Sequence, residues 1–340
     1  MTGPLAALVG FMAFAAVSTA VGWLTRTRGW APESLSRHVH WFTVVVLWTV
    51  TLMLVLWRDP PGASTAWLLV LQPIVVAVPP LIAMWVGRRF VKDRSALGVL
   101  VISAGVANTG LTLGMLVCHA FFHEPSPGLA AQLTPGEAVD PGRAARSYAA
   151  ALVAVMVVAA IVTLYPLARK FSPDGDGGEG VARLVVRSLL DWRAMPLVGA
   201  AAGVALGHVG PAFPQVFDTI YLVDVLIFAG GFGAYFGIGA RLRLGDTWKR
   251  PGLHAAAGLI RFAVAPAVAL GAVALASLTS APPSELLGRV LILEAAMPLA
   301  IQAVVIPNLF HLDARLASSL WLVNTVFYCV VLLPLLFVLA

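Results

Sequence analysis

The chain has 340 residues, of which 60% are hydrophobic and only 11% are charged. Soluble domains carry about 25% charged residues, so this composition excludes an ordinary water-soluble protein and indicates a chain surrounded largely by lipid. Its two cysteines exclude a disulfide framework, and no His/Cys cluster, HExxH stretch or phosphate-cradling glycine loop predicts a metal, a nucleotide or any other cofactor. The formal net charge of +6 does not indicate nucleic acid, because its placement along the chain follows a membrane topology.

Apolar segments long enough to span a membrane recur along the whole chain. A spanning helix needs about 20 mostly apolar residues. The segments that meet this requirement are, in chain order, Leu5–Leu24, Trp41–Trp57, Ala66–Gly87, Ser95–Val117, Tyr148–Ala168, Ala194–Val209, Thr219–Ala240, Leu253–Leu275, Leu286–Asn308 and Leu316–Ala340. The sequence therefore predicts an all-α polytopic membrane protein with ten transmembrane helices.

Basic residues divide unequally between the two sets of alternate loops. Of the 22 Lys and Arg, 17 fall on one side, 4 on the other and Arg261 within a span. The four are Arg58, Arg143, Arg146 and Arg289. Because cytoplasmic loops carry the excess of basic residues, we expect a multi-pass protein of the cytoplasmic membrane with both termini extracytoplasmic.

Two longer connections organise the chain. Residues 118–147 contain several prolines, and we expect an irregular loop outside the membrane. Residues 171–193 begin with Ser-Pro-Asp-Gly-Asp-Gly-Gly and are expected to form a cytoplasmic linker with an amphipathic end. The linker separates 1–170 from 194–340, which are two halves of five spans with opposite orientation. This arrangement predicts two inverted five-helix repeats.

Spans four and nine are interrupted by residues that break helices. Span four contains Asn108-Thr109-Gly110, and span nine contains Met297-Pro298 followed by Gln302. Both interruptions fall near mid-depth, in the fourth span of each half. Meeting half-helix N-termini, each carrying about half a positive charge, favour an anion, so these six residues are the predicted substrate-binding set. In the alternative interpretation, Asn108 is a helix–helix hydrogen bond and Gly110-xxx-Gly114 a close-packing motif.

Three ionisable residues within spans are candidates for coupling or gating. Glu294 could carry a proton during transport or face an outer vestibule as a solvated carboxylate. Asp224 and Arg261 are costly in lipid and should face protein; in the alternative for Arg261, its place near the inner end of its span lets it snorkel. His40 is expected at the cytoplasmic interface. No nucleophile–base pair or metal set predicts an enzyme.

Several short motifs resemble the auxin efflux carrier family and its bacterial members, within the bile-acid/auxin/arsenite-type transporter superfamily. They are Val21-Gly22-Trp23-Leu24 with Arg28-Gly29, Asn108-Thr109-Gly110-Leu111, Pro196 with Gly203, Gly237-Ile238-Gly239-Ala240, Ala296-Met297-Pro298-Leu299-Ala300, His311-Leu312-Asp313 and Leu333-Pro334-Leu335. The chain departs from the family pattern at Met115, where Pro is common, at Gln302, where Asn is common, and in Thr43–Leu52, which lacks the usual Pro.

The resemblance implies an elevator-type transporter fold with broken, crossing helices in spans four and nine. It also implies a scaffold of spans one, two, six and seven, which could form a homodimer, and small carboxylate substrates. We therefore expect a secondary transporter for a small organic anion, auxin-like or dicarboxylic, with membrane lipid as a further partner and no nucleic acid. Two alternatives stay open, namely a sodium- or proton-coupled symporter or antiporter of the superfamily and a membrane sensor that kept the fold without transport.

Overall fold

The computed structural model describes residues 3–62, 65–109, 113–173, 180–243, 245 and 249–339, and the named elements among them are helices. We number the longer ones in chain order. They are α1 (Gly3–Thr27), α2 (Leu35–Arg58), α3 (Leu68–Gly87), α4 (Arg94–Gly105), α5 (Leu113–Phe122), α6 (Pro141–Phe171), α7 (Val181–Leu189), α8 (Met195–Val209), α9 (Leu222–Arg241), α10 (Pro251–Ala276), α11 (Glu285–Ala295), α12 (Gln302–Leu309) and α13 (Ala314–Val338).

Seven helices are long and apolar enough to cross a membrane, namely α1, α2, α3, α6, α9, α10 and α13. Helix α7 and the segment Trp192–Val209 are bent by 70° relative to each other, and if this pair is counted as one span the number rises to eight. The fourth and ninth predicted spans are each divided into two shorter helices, α4 with α5 and α11 with α12. The chain is thus a helical, multi-pass membrane protein, and length and composition alone support seven or eight spans.

The expected irregular loop at 118–147 is wrong, because most of it is helical. Helix α5 continues to Phe122, two short helices follow, and α6 begins at Pro141, seven residues before the predicted start. The carboxylate of Asp140 accepts a hydrogen bond from the Arg143 amide at 2.8 Å and caps α6. A proline in the first turn of a helix gives up no hydrogen bond, so here the prolines start helices rather than interrupt them.

Glycines bring the helices of the predicted scaffold close together. A Cβ atom at Gly199 or Gly203 of α8 would overlap the backbone carbonyl of Thr49 or Met53 in α2. Gly237 of α9 also lies against α2, where a Cβ atom would overlap the imidazole ring of His40. These stripes of small residues are therefore used within the chain, as in close-packed membrane helices.

Three helices contain a π-helical turn, at Thr43–Trp48 in α2, Ile260–Val264 in α10 and Tyr328–Leu332 in α13. Such turns insert one residue and rotate the faces that follow. The divided helices lie inside the bundle: every residue of α4 from Ala96 to Gly105 is buried, as are Ala303–Leu309 of α12. Interrupted backbone is consequently enclosed by protein instead of lipid.

Candidate functional site

The two interrupted segments cross and pair through their backbones. The Asn108 amide donates to the Pro298 carbonyl at 2.8 Å, and the Ala300 amide donates to the Val106 carbonyl at 3.2 Å. Ala107 and Leu299 form an isolated antiparallel bridge between them. Proline has no N–H to donate, so at Pro298 only the carbonyl takes part. The crossing thereby satisfies backbone groups that the breaks release from helix hydrogen bonding.

A cavity of about 70 Å³ lies beside the crossing. Three of the predicted substrate-binding residues line it, namely Asn108, Thr109 and Gln302. The remaining wall consists of Trp48, Thr51 and Leu52 from α2, Val153, Met156 and Val157 from α6, Ile227 and Gly231 from α9, and Ile301. The structure thus brings residues from both breaks to one cavity.

The other three predicted binding residues do not line this cavity. Met297 is fully buried, and its sulfur accepts a hydrogen bond from the Tyr328 hydroxyl at 3.1 Å. Pro298 contributes its carbonyl to the crossing, as described above. Gly110 lies outside the described residues. Met297 and Pro298 therefore shape the crossing without facing the cavity.

Two helix N-termini lie near the cavity. Helix α12 begins at Gln302, and the Gly114 amide at the start of α5 donates to the Asn108 carbonyl at 3.1 Å, so the N-terminal ends of both second half-helices lie near the crossing. Helix N-termini carry partial positive charge. None of the described residues lining the cavity is acidic.

Tyr235 is a site residue that sequence reasoning missed. It lies fully buried on α9, and its hydroxyl is hydrogen-bonded to the Asn108 side chain. Asn108 and Tyr235 also line an apolar groove of about 430 Å³ between α1 and α13. No motif marks this tyrosine, because its role depends on the packing of α9 against the crossing.

Arg261 faces protein, the first of its two expected positions, and does not snorkel to the membrane surface. It is 1% exposed and lies in the π-helical turn of α10. Its guanidinium donates to the Ala104 carbonyl at 3.4 Å and to the Ala295 carbonyl. These are carbonyls at the C-terminal ends of α4 and α11, so Arg261 lies at the crossing.

Glu294 is also buried, at 1% exposure, which excludes the interpretation of a solvated vestibule carboxylate. Its Oε1 atom accepts a hydrogen bond from the Cys118 thiol at 3.3 Å. A Cβ atom at Gly114 would overlap the same carboxylate. The last turn of α11 thus places an acidic group directly against one face of α5.

Asp224 lies apart from the crossing. It is in the first turn of α9 and exposed, whereas we expected it to face protein. Together with Arg58, Arg143 and Arg146 it lines a cavity of about 820 Å³, which defines the open side of the molecule. Ile227 lines both this cavity and the small one beside the crossing, so the two adjoin.

A comparison with protein-family models identifies the chain. The model of a family described as membrane transport protein matches residues 61–337, well over half of the chain. The chain belongs to this membrane transport family. The resemblance to auxin efflux carriers is thereby confirmed. No curated protein matched the chain.

Opposite the open side, this membrane transport protein is closed by a buried polar network. The Asn308 amide of α12 donates to Ser36 Oγ at 3.1 Å and lies 2.9 Å from His40 Nδ1. Because an amide nitrogen only donates, Nδ1 accepts, and the Nε2 proton of His40 is directed to the Ala234 carbonyl at 3.2 Å. His40 is fully buried within the protein, and its expected position near the cytoplasmic interface stays a prediction.

Ion pairs extend this closed side toward the surface. Glu33, between α1 and α2, receives two hydrogen bonds from Arg315 of α13, each 2.8 Å long. Arg241 and Arg243, at the end of α9 and just after it, contact the same carboxylate at 3.3 and 3.1 Å. These arginines are among the 17 basic residues that predict the topology. Their pairing could not be predicted, because Glu33 lies more than 200 residues away along the chain.

Proposed function

We propose that the protein is a secondary transporter that moves a small organic anion, an auxin-like carboxylate or a dicarboxylate, across the cytoplasmic membrane by alternating access. The observation that carries this proposal is the cavity beside the crossing. Two half-helix N-termini lie near it, Asn108 and Gln302 supply amide groups, and no described acidic residue lines it. A carboxylate held there needs no buried basic side chain.

The proposed architecture consists of two inverted five-helix repeats, 1–170 and 194–340, joined by the cytoplasmic linker 171–193. Helices α1, α2, α8 and α9 form the scaffold, and the remaining helices form the moving part of an elevator. The pairing of breaks from the two halves supports this division. A homodimer through the scaffold is part of the proposal. Because the glycine stripes are used within the chain, that interface requires the exposed apolar side chains of α1, α8 or α9.

The membrane potential determines in which direction an anion can be transported without a coupled ion. In the proposed orientation the open side is extracytoplasmic. An inside-negative potential contributes about 2.3 kcal/mol per charge per 100 mV, an outward bias of roughly fifty-fold for a monovalent anion. Export can therefore run as uniport, whereas import needs a coupled ion. Buried Glu294 is then the candidate proton carrier, and Asp224, at the mouth of the open cavity, is the weaker one.

Charge movement by the purified protein in liposomes on a supported membrane tests the proposal. We expect saturable currents with one class of mono- or dicarboxylate, and loss of these currents in the double variant Asn108→Ala/Gln302→Ala. Gln72→Ala is the matched control, because Gln72 is a buried amide on α3 that does not line the cavity. Unchanged currents in the double variant would refute the site. Binding without currents would favour a sensor.

A further inference from the structure

Arg261 is 1% exposed and forms no ion pair with a carboxylate among the described residues. Its guanidinium instead bonds to backbone carbonyls of two different half-helices, Ala104 in α4 and Ala295 in α11. No described backbone N–H donates to either carbonyl. Burying an unpaired charge is costly, so these two carbonyls must supply its compensation.

The two carbonyls belong to helix ends of the same polarity. Ala295 is the last residue of α11, and Ala104 is the last but one of α4. A helix C-terminus carries about half a negative charge, so the two ends together present about one negative charge. The guanidinium supplies one positive charge. The two partly negative helix C-termini at the crossing are therefore bound to Arg261, whereas the two partly positive helix N-termini lie near the cavity.

Converging helix C-termini with free carbonyls are, in transporters with broken helices, places where a coupling cation binds. In this protein the positive group bound to the carbonyls is the guanidinium of Arg261, which is covalently part of the chain. A guanidinium stays protonated in proteins, so it neither leaves nor exchanges during a transport cycle. The π-helical turn Ile260–Val264 contains the residue and sets the direction of its side chain.

We propose that Arg261 is a tethered substitute for a coupling cation, which makes the binding of an anion at the crossing independent of sodium. The inference rests on the proposed anion transport. It has two consequences. Replacing sodium with a bulky organic cation leaves wild-type transport unchanged. Removing the guanidinium opens a cation site of matching charge and shape, which free guanidinium can occupy.

Arg261→Ala is the direct test. Loss of charge-assisted bonds to two buried acceptors, each worth about tenfold, predicts transport about 100-fold slower and a lower melting temperature. Millimolar guanidinium chloride, at constant ionic strength, should raise the transport rate and the melting temperature of this variant. It should raise neither quantity in the wild-type protein. Arg289→Ala is the matched control, since Arg289 is exposed and pairs only with Glu285 on its own helix. Arg261→Ser, which also leaves the space of the guanidinium open, replaces the alanine variant if that one does not fold.

The outcomes separate this inference from the proposed function. Sodium-dependent wild-type transport would overturn the inference and leave anion transport standing. So would a destabilised Arg261→Ala variant that guanidinium fails to stabilise, because Arg261 would then act by packing alone. If wild type moves no carboxylate, the proposed function fails, and the guanidinium-dependent melting temperature still decides whether the site accepts a cation.

Discussion

The two sides of the crossing differ in how polar residues are used. On the open side, Arg143 and Arg146 stand exposed along a cavity of about 820 Å³ and have no ion pair among the described residues. On the closed side, Ser36, His40 and Asn308 are buried and bonded to one another. Polar side chains thus line an accessible cavity on one side and bond to one another in the protein interior on the other.

This difference indicates what alternating access would have to change. Hydrogen bonds and ion pairs connect the helices on the closed side, and each contributes only about 0.5–3 kcal/mol. Its partners come from different parts of the chain, α2 and α9 on one hand and α12 and α13 on the other. Relative movement of these helices would exchange the contacts for solvent at modest cost.

Removing Asn308 should have the largest effect on stability. Asn308→Leu keeps the size of the side chain and leaves Ser36 and His40 without their shared donor. We expect a loss of about 1–3 kcal/mol and faster amide hydrogen exchange over Leu35–Phe42. Asn324→Leu is the control, because the Asn324 amide bonds only within its own helix, to Leu320. An equal effect of the two variants would show that the network does not hold the closed side.

The ion pairs of Glu33 make the stability of the closed side depend on pH. Hydrogen bonds from Arg315 above all, and from Arg243, lower the pKa of Glu33 from 4.5 to about 2 against the opposing effect of burial. Its stabilisation is therefore complete above about pH 4.5 and is lost as the pH falls toward 2. Glu33→Gln should cost about 1–3 kcal/mol at pH 6 and progressively less in acid.

The matched control for that measurement is Glu285→Gln, which breaks an exposed pair between Glu285 and Arg289 four residues apart on α11. Such pairs contribute about 0.3–0.5 kcal/mol. Thermal unfolding in detergent at pH 6 and pH 3 compares the two variants. If Glu33→Gln lowers the melting temperature equally at both values, the carboxylate charge is not what stabilises the closed side.

On the open side we expect a smaller, kinetic effect. Arg143→Gln/Arg146→Gln should raise the apparent KM for an anion by on the order of 2–10-fold at low ionic strength, and more for a dicarboxylate than for a monocarboxylate. High salt should remove the difference, because exposed charges are screened. Arg289→Gln, which leaves this cavity unchanged, is the control. A KM that keeps its salt dependence in the double variant would show that the cavity does not attract the substrate by charge.

The distance along α6 limits what these arginines can do. Arg146 and Met156, which contacts Thr109, are ten residues apart, so about 15 Å separates them along the helix. A small dicarboxylate cannot touch both places at once. The arginines would therefore attract the anion before it reaches the crossing, without binding it there.

Much of the architecture could be predicted because it follows from local chemistry. Charge-poor segments of membrane length predict helices, and Pro298 and the Asn108-Thr109-Gly110 stretch mark the interruptions. The loop at 118–147 was predicted wrongly because Pro127, Pro135 and Pro141 start helices as readily as they interrupt them.

The sequence by itself determined that this is a multi-pass membrane protein, where two apolar segments are interrupted and which family it resembles. Only the tertiary structure decided which polar side chains meet. Each π-helical turn adds one residue, which rotates the following helix face by about 100°, so helical periodicity could not place Arg261 at the crossing. His40 and Asn308 lie 268 residues apart and meet because α12 packs against α2, and that packing is a property of the whole fold.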